Sequence, residues 1–169
     1  MKYSNPLNFK NWIDENRHLL KPPVGNKVVY DDGDFIIMVV GGPNSRKDYH
    51  VDSIEEFFYQ IEGDMTLKII DDKKKVDIKI KEGEIFLLPK NIPHSPQRFE
   101  NTVGLVVEYK RGPGVFDTFQ WYCDFCDHLL YEVDIELKDI VKQLPPLFDT
   151  YWKNINARTC NICDKVQSP

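Results

Sequence analysis

The chain is patterned in short apolar runs cut by turn residues, the rhythm of strands that bury one face and then reverse. Between residues 27 and 110 the runs are KVVY (27–30), FIIMVV (35–40), EFFYQI (56–61), MTLKII (65–70), VDIKI (76–80), EIFLLP (84–89), QRFE (97–100) and GLVVEYK (104–110). The breaks carry Gly33, Gly41-Gly42-Pro43, Gly63, Asp71-Asp72, Gly83 and a proline-bracketed stretch around His94, residue types that turn a chain readily. Short strands at this regular spacing predict an all-β sandwich or barrel, not alternating β/α units. Ahead of them Asn5-Pro6 offers a cap and a first-turn proline. Phe9, Trp12, Ile13, Leu19 and Leu20 then recur at helical spacing, which predicts a short helix over about residues 6–20. Lys73-Lys74-Lys75, following two aspartates between two strands, reads as a solvated hairpin tip.

The pattern changes after residue 110. Arg111-Gly112-Pro113-Gly114 is punctuation. Beyond it Leu137, Ile140, Val141, Leu144, Leu147 and Phe148 surround Pro145-Pro146, predicting two short helices broken by the prolines. The expected organisation is a barrel with its N-terminal helix over 1–112 and a small helical extension over 113–169.

Charge narrows the partners. With 22 basic and 27 acidic residues the net charge is −5, so the mean surface potential repels phosphate backbones and anionic lipid. Neither nucleic acid nor a membrane is an expected partner. The longest apolar run, 35–40, is far short of the roughly 20 residues of a spanning helix. The opening MKYSNPLNFKNWIDENRH lacks the apolar core of a secretory signal, so the expected address is cytoplasmic.

Two groups of residues carry metal chemistry. Cys123, Cys126, Cys160 and Cys163 form two C-x-x-C pairs, which in a reducing compartment read as four thiolates around one tetrahedral ion, iron or zinc alike. Reduced unmetallated thiols or disulfides are the alternative. His128, just past the first pair, reads as a neighbour of that site, and His18 as a surface residue of the N-terminal helix. His50 and His94 are different. If their segments lie on neighbouring barrel strands, two imidazoles and one carboxylate can share an interior point. Such a face leaves three positions of an octahedral ion open, as Fe(II) needs to take a chelating substrate and dioxygen together. Strand alternation lets only one of Glu55 and Glu56 face inward. Taken singly, either histidine is as well explained as a satisfied polar residue at a strand end.

The spacing of His50, Glu56 and Gly63, then Gly83, Pro89, Asn91 and His94, resembles the paired metal-binding motifs of the cupin superfamily. Asp52 stands where many cupins have a second histidine, and Asn91 where glycine is common. More narrowly, VGGPNSRKDYHVDSIEEFFYQIEGDM, LLPKNIPHSPQRF, VGLVVEYKR and WYCDFCDHLLYE, with KPPVGNK and the terminal CNIC, resemble the 3-hydroxyanthranilate 3,4-dioxygenase family over almost the whole chain.

That resemblance implies a cupin-type jelly-roll barrel, Fe(II) on His50, Glu56 and His94, and a homodimeric assembly. It implies a reaction in which 3-hydroxyanthranilate and O2 give 2-amino-3-carboxymuconate semialdehyde, on the kynurenine route through quinolinate to NAD. Arg98, Glu108, Glu56 and Asn26 become the implied substrate contacts. Arg98 would hold the ring carboxylate, Glu108 would accept a proton from the ring hydroxyl or amine, and Arg46 would stand on the dioxygen side. Cys123, Cys126, Cys160 and Cys163 would hold the second metal. Two readings compete: a cupin dioxygenase of another o-aminophenol or a thiol, and a non-catalytic, metal-stabilised cupin that binds small molecules. Good turnover of aminophenols lacking a carboxylate would favour the first. No oxygen consumption with any aromatic would favour the second.

Overall fold

The computed structural model describes residues 5–22, 25–138 and 140–169. Pro23 and Val24 of the KPPVGNK stretch lie outside the described residues, as do Asp139 and the side chains of Ile140 and Val141. Two antiparallel sheets face each other. One has the order β1 (Asn26–Tyr30), β2 (Phe35–Gly41), β9 (Val103–Tyr109), β4 (Glu56–Glu62), β7 (Ile85–Leu88). The other has the order β11 (Leu129–Ile135), β10 (Asp117–Tyr122), β3 (Asp48–Val51), β8 (His94–Arg98), β5 (Met65–Asp71), β6 (Lys74–Ile80). From β2 to β5, and again from β6 to β10, successive strands change sheet at every step, the wiring of a jelly roll. The all-β, cupin-type barrel read from the sequence is the architecture found.

Eleven strands among the described residues exceed the eight apolar runs. β3 reads DYHV, with polar residues aimed at the interior, so it lacks the apolar alternation that marks a half-buried strand. β8 begins at His94, three residues ahead of the run read from the sequence, and contains Pro96. The proline is tolerated because β8 meets β3 only at His50↔His94, while its other edge pairs with β5 from Met65↔Arg98 to Ile69↔His94. β10 and β11 lie beyond residue 112 yet continue the six-stranded sheet, β10 pairing with β3 from Thr118↔Val51 to Trp121↔Asp48.

Helix α1 runs over Phe9–Asn16 and a 3-10 turn over Arg17–Leu19, so the helix starts later than Asn5-Pro6 suggested. The cap is Asn8, whose side chain accepts the Asn11 N–H at 3.0 Å. Ile13 and Leu20 carry it onto Val39 and Val103 of the five-stranded sheet. In the extension, Pro145-Pro146 do not separate two helices. Both lie inside α2 (Ile140–Lys153), and the break comes at Asn154, the cap of α3 (Ile155–Arg158). Packing decides against the prolines: Leu144, Leu147, Phe148 and Tyr151 recur at helical spacing against Phe119, Trp121 and Tyr131, with Tyr151 stacked on Trp121 at 4.4 Å.

The lysine run is only partly a solvated tip. Asp72 and Lys73 take φ of 44° and 64° in a tight turn closed by Asp71↔Lys74, but Lys75 turns back to donate to the Cys123 carbonyl at 2.6 Å. The last residues are tied in as well. Buried Gln167 accepts from Tyr151 Oη at 2.6 Å and donates to the Tyr122 carbonyl at 2.8 Å, and the Ser168 carbonyl accepts from Lys47 at 2.7 Å. The core lies at the closed end of the barrel, where Met38, Phe58, Met65, Leu67, Ile80, Leu88 and Val106 pack together.

Candidate active site and metal centres

Two cross-strand pairs face each other inside the barrel. His50 and His94 are partners on β3 and β8 of one sheet, and Glu56 and Glu108 are partners on β4 and β9 of the other. Because alternate residues of a strand share a face, Glu56 points inward with Phe58 and Gln60, and Glu108 with Val106. The exposed Glu55 stands outside. The four groups line a cavity of about 130 Å³ together with Asn26, Arg46, Arg98 and Arg111. A wider vestibule of about 670 Å³ shares Asn26, Asn44, Arg46 and Leu144 with that cavity and carries it to the surface.

His94 Nε2 lies 2.9 Å from Glu56 Oε2, while its Nδ1 is 3.0 Å from the Ile92 carbonyl. The Ile92 carbonyl accepts from Nδ1–H, so that Nε2–H of the protonated ring donates to Glu56 and the neutral ring presents its Nε2 lone pair to the cavity, the usual arrangement of a metal-ligating imidazole. Burial opposes charge on both partners. Each nonetheless favours the other's ion, so His94 is raised and Glu56 lowered. The His50 ring lies 5.2 Å from that of His94, stacked on Phe119, with Nε2 3.2 Å from Asp117 Oδ2. Neither of those two atoms has a hydrogen-bond partner, and burial lowers the His50 pKa. His50, Glu56 and His94 line one cavity, and two imidazoles with a carboxylate are the donor set that suits a divalent transition metal.

Apart from the cysteines, the described residues whose donor atoms all lie within 4.8 Å of one another are His50, Asp52 and Asp117. Charge decides against a cation there. Arg111, buried behind the cavity, donates Nε to Asp117 at 2.7 Å, Nη1 to Glu108 at 3.0 Å and Nη2 to Asp52. A cation among His50, Asp52 and Asp117 would stand against that guanidinium. In the sequence Arg111 reads as punctuation. With β10 unseen in the sequence, nothing there brought Asp117 toward it, and the departure from the cupin pattern at Asp52 was the one available signal.

The three cavity arginines are differently engaged. Arg46 is paired with Asp48, Nε to Oδ1 at 3.1 Å, and its guanidinium lies 5.7 Å from the Phe148 ring. Arg111 answers three carboxylates. Arg98, 4% exposed, forms no ion pair among the described residues. Its Nε has no partner, its Nη1 donates to Gln60 Oε1 at 3.0 Å, and burial lowers its pKa to about 10. Glu108, 6% exposed, is pushed up to about 7 by burial against the pull of Arg111. Asn26 lines both the cavity and the vestibule.

The four cysteines converge at the other end of the six-stranded sheet. Sγ–Sγ separations of 3.6 Å join Cys123 to Cys163, Cys126 to Cys160 and Cys126 to Cys163. A tetrahedron with metal–sulfur bonds of about 2.3 Å has edges of about 3.8 Å, so the thiols stand at ligating distance from one centre. The two knuckles repeat each other. Cys123 N–H donates to the His128 carbonyl and Cys160 N–H to the Lys165 carbonyl, each at 2.8 Å, and each loop turns through an aspartate of positive φ, Asp127 at 58° and Asp164 at 56°. His128 contributes only its backbone.

Residues 1–152 match the model of the 3-hydroxyanthranilic acid dioxygenase family. A protein of Jannaschia sp. is 55% identical over 95% of this chain and 89% of its own length. One of Paraburkholderia phytofirmans is 52% identical over 98% of this chain and 96% of its own. Each of these two relatives is named 3-hydroxyanthranilate 3,4-dioxygenase. Among solved structures, a Neisseria meningitidis protein matches the fold with TM-score 0.50 at 21% identity, covering 63% of this chain and all of its own.

Two expectations follow from the geometry. The raised pKa of Glu108 means that between about pH 4.5 and 7 the folded state holds a proton that the unfolded state has released. In protein stripped of metal by chelation, stability therefore falls as pH rises through that window, by up to about 1.4 kcal/mol per unit from this group. Urea titrations at pH 5 and 7.5 should show the fall in wild type and a smaller one in Glu108→Gln. At the cysteine centre, Cys126→Ser or Cys163→Ser should lose one tightly held ion per chain by elemental analysis and lower the Tm.

Proposed function

The chain belongs to the 3-hydroxyanthranilic acid dioxygenase family and is a dioxygenase of 3-hydroxyanthranilate, and we propose that it works with Fe(II) held by His50, Glu56 and His94. The observation that carries this reading is the pairing of His50↔His94 against Glu56↔Glu108 inside one cavity, with an ion-pair-free guanidinium beside them. Fe(II) held there would supply the coordination sites through which the substrate's adjacent hydroxyl and amino groups, chelating it, are brought together with dioxygen.

The chain's own residues do the rest. Arg98 meets the substrate carboxylate: a buried guanidinium without a counter-ion is most stable when an anion joins it. Glu108, whose pKa is pushed up to about 7 by burial, accepts the proton of the ring hydroxyl as it binds. Arg111 holds the Glu108 carboxylate in place while that proton moves. Arg46 stands between vestibule and cavity, where its charge faces dioxygen and the developing negative charge of the reaction. Asn26 adds a polar contact at the entrance, and Glu56 borders the substrate as well as the metal. Opening of the ring between C3 and C4 with both oxygen atoms retained gives 2-amino-3-carboxymuconate semialdehyde. That product closes to quinolinate, the precursor of the NAD pyridine ring on the kynurenine route.

The reading extends to the rest of the molecule. The four thiolates of Cys123, Cys126, Cys160 and Cys163 hold iron or zinc, and that ion secures the segment 113–169 as a metal-tied extension of the barrel 1–112. No helix among the described residues is long and apolar enough to cross a membrane, and the acidic charge does not suit nucleic acid. The working address is the cytoplasm and the working assembly a homodimer.

Protein loaded anaerobically with Fe(II), given 3-hydroxyanthranilate and then oxygen, should consume one O2 per semialdehyde formed. His94→Ala or Glu56→Ala should abolish uptake and lose the barrel iron while keeping the wild-type circular dichroism. An iron-replete, active variant would sink the assignment. Light scattering should give twice the 19.8 kDa mass of one chain, and a monomer mass would remove the homodimer from it.

A further inference from the structure

Gln60 is the side chain that decides how Arg98 is presented. It lies on the inward face of β4, two residues beyond Phe58 and four beyond Glu56, and is 1% exposed. Its amide is fixed at both ends: Nε2 donates to the Glu62 carbonyl at 3.1 Å, which aims Oε1 at Arg98 Nη1, 3.0 Å away. Its backbone is fixed too, with N–H donating to Glu84 at 3.0 Å and C=O accepting from Gly83 at 2.7 Å. The guanidinium lies against Gly104, where an added Cβ would collide with Nη1 and crowd Gln60 Oε1. Arg98 is likewise pinned at its backbone, exchanging hydrogen bonds with Asn44 at 2.8 and 2.9 Å.

The chemistry of that contact is unusual for a buried arginine. Its neighbours in the cavity, Arg46 and Arg111, are each answered by carboxylates. Arg98 is hydrogen-bonded by a neutral amide, which fixes direction and leaves its positive charge without a contacting carboxylate, Glu56 acting on it only through space. A glutamate would reach the same place, since it has the shape of glutamine, and would neutralise the guanidinium from inside the protein. The amide at residue 60 thus keeps the charge available to an anion arriving from the cavity.

We infer that Gln60 is a specificity-determining positioning residue, which makes the enzyme select ortho-aminophenols that carry a ring carboxylate over those that do not. The inference rests on the reading of Arg98 as the carboxylate site and goes beyond it by assigning selectivity to the neutrality of Gln60.

The test compares kcat/KM for 3-hydroxyanthranilate with that for 2-aminophenol, which keeps the chelating pair and lacks the carboxylate, in Fe(II)-loaded wild type, Gln60→Glu and Arg98→Leu. Gln60→Glu should reduce the ratio of the two kcat/KM values by about tenfold or more, chiefly through KM for the carboxylate substrate, with iron content and Tm showing an intact barrel. In the Arg98→Leu background, adding Gln60→Glu should leave the ratio where Arg98→Leu put it. A Gln60→Glu ratio within about twofold of wild type, alongside a collapsed ratio in Arg98→Leu, overturns the role of Gln60 and leaves the carboxylate site standing. An unchanged ratio in Arg98→Leu overturns the carboxylate site itself, and this inference with it. If Gln60→Glu does not accumulate as folded protein, Gln60→Met carries the test by removing the acceptor without adding charge. KM for 3-hydroxyanthranilate should then rise several-fold with kcat held, and an unchanged KM overturns the role.

Discussion

Two glutamates set directly opposite each other on adjacent strands, inside an apolar barrel, are the constraint from which the rest of the site follows. Like charges in a cross-strand pair repel, and burial removes the water that would screen them. Glu56↔Glu108 is therefore unstable unless each carboxylate is answered separately, and each is. Arg111 reaches Glu108 from behind, and its burial pushes the acid up toward neutrality. Glu56 is met from the facing sheet by His94. The Fe(II) proposed for His50, Glu56 and His94 would take over from the His94 proton in answering Glu56.

The same balance of charge explains why three arginines in one small cavity are not interchangeable. Arg111, spread over Asp52, Glu108 and Asp117, joins the ends of three strands and has no charge to spare. Arg46 is shared with Asp48 and sits where cavity and vestibule meet. Arg98 alone is held by a neutral partner. The cysteine centre is joined to this arrangement through its loops: Lys47, next to Arg46, bonds Asp124 of the first knuckle at 3.0 Å and the Ser168 carbonyl of the tail. The extension is packed on the barrel through its own strands, helix and chain end.

Much of this was legible in the sequence, and the exceptions have physical reasons. Alternating apolar runs gave away β2, β4, β5 and β9 because those strands bury side chains of ordinary polarity contrast. β3, whose inward positions are occupied by Asp48 and His50, has no such contrast, so the strand carrying a key histidine is missing from the apolar runs. β10 was lost for another reason: its run follows the glycine-proline punctuation at 112–114, and that break looked like the end of the sheet. Losing β10 hid Asp117, and with it the role of Arg111. The cysteines could be grouped from their C-x-x-C spacing and His50, Glu56 and His94 from the cupin-like motifs, because these are local rules, whereas Arg46, Arg98 and Glu108 were named only through the family resemblance. Gln60 could be named from neither, because its meaning depends on which side chain stands opposite on another strand.

Iron-edge anomalous diffraction from crystals grown anaerobically with Fe(II) and 3-hydroxyanthranilate tests the central claim most directly. The account predicts a peak bounded by His50, Glu56 and His94, with the substrate's hydroxyl and amine toward it and the carboxylate on Arg98. A peak among His50, Asp52 and Asp117, or a substrate whose carboxylate lies away from Arg98, would contradict it.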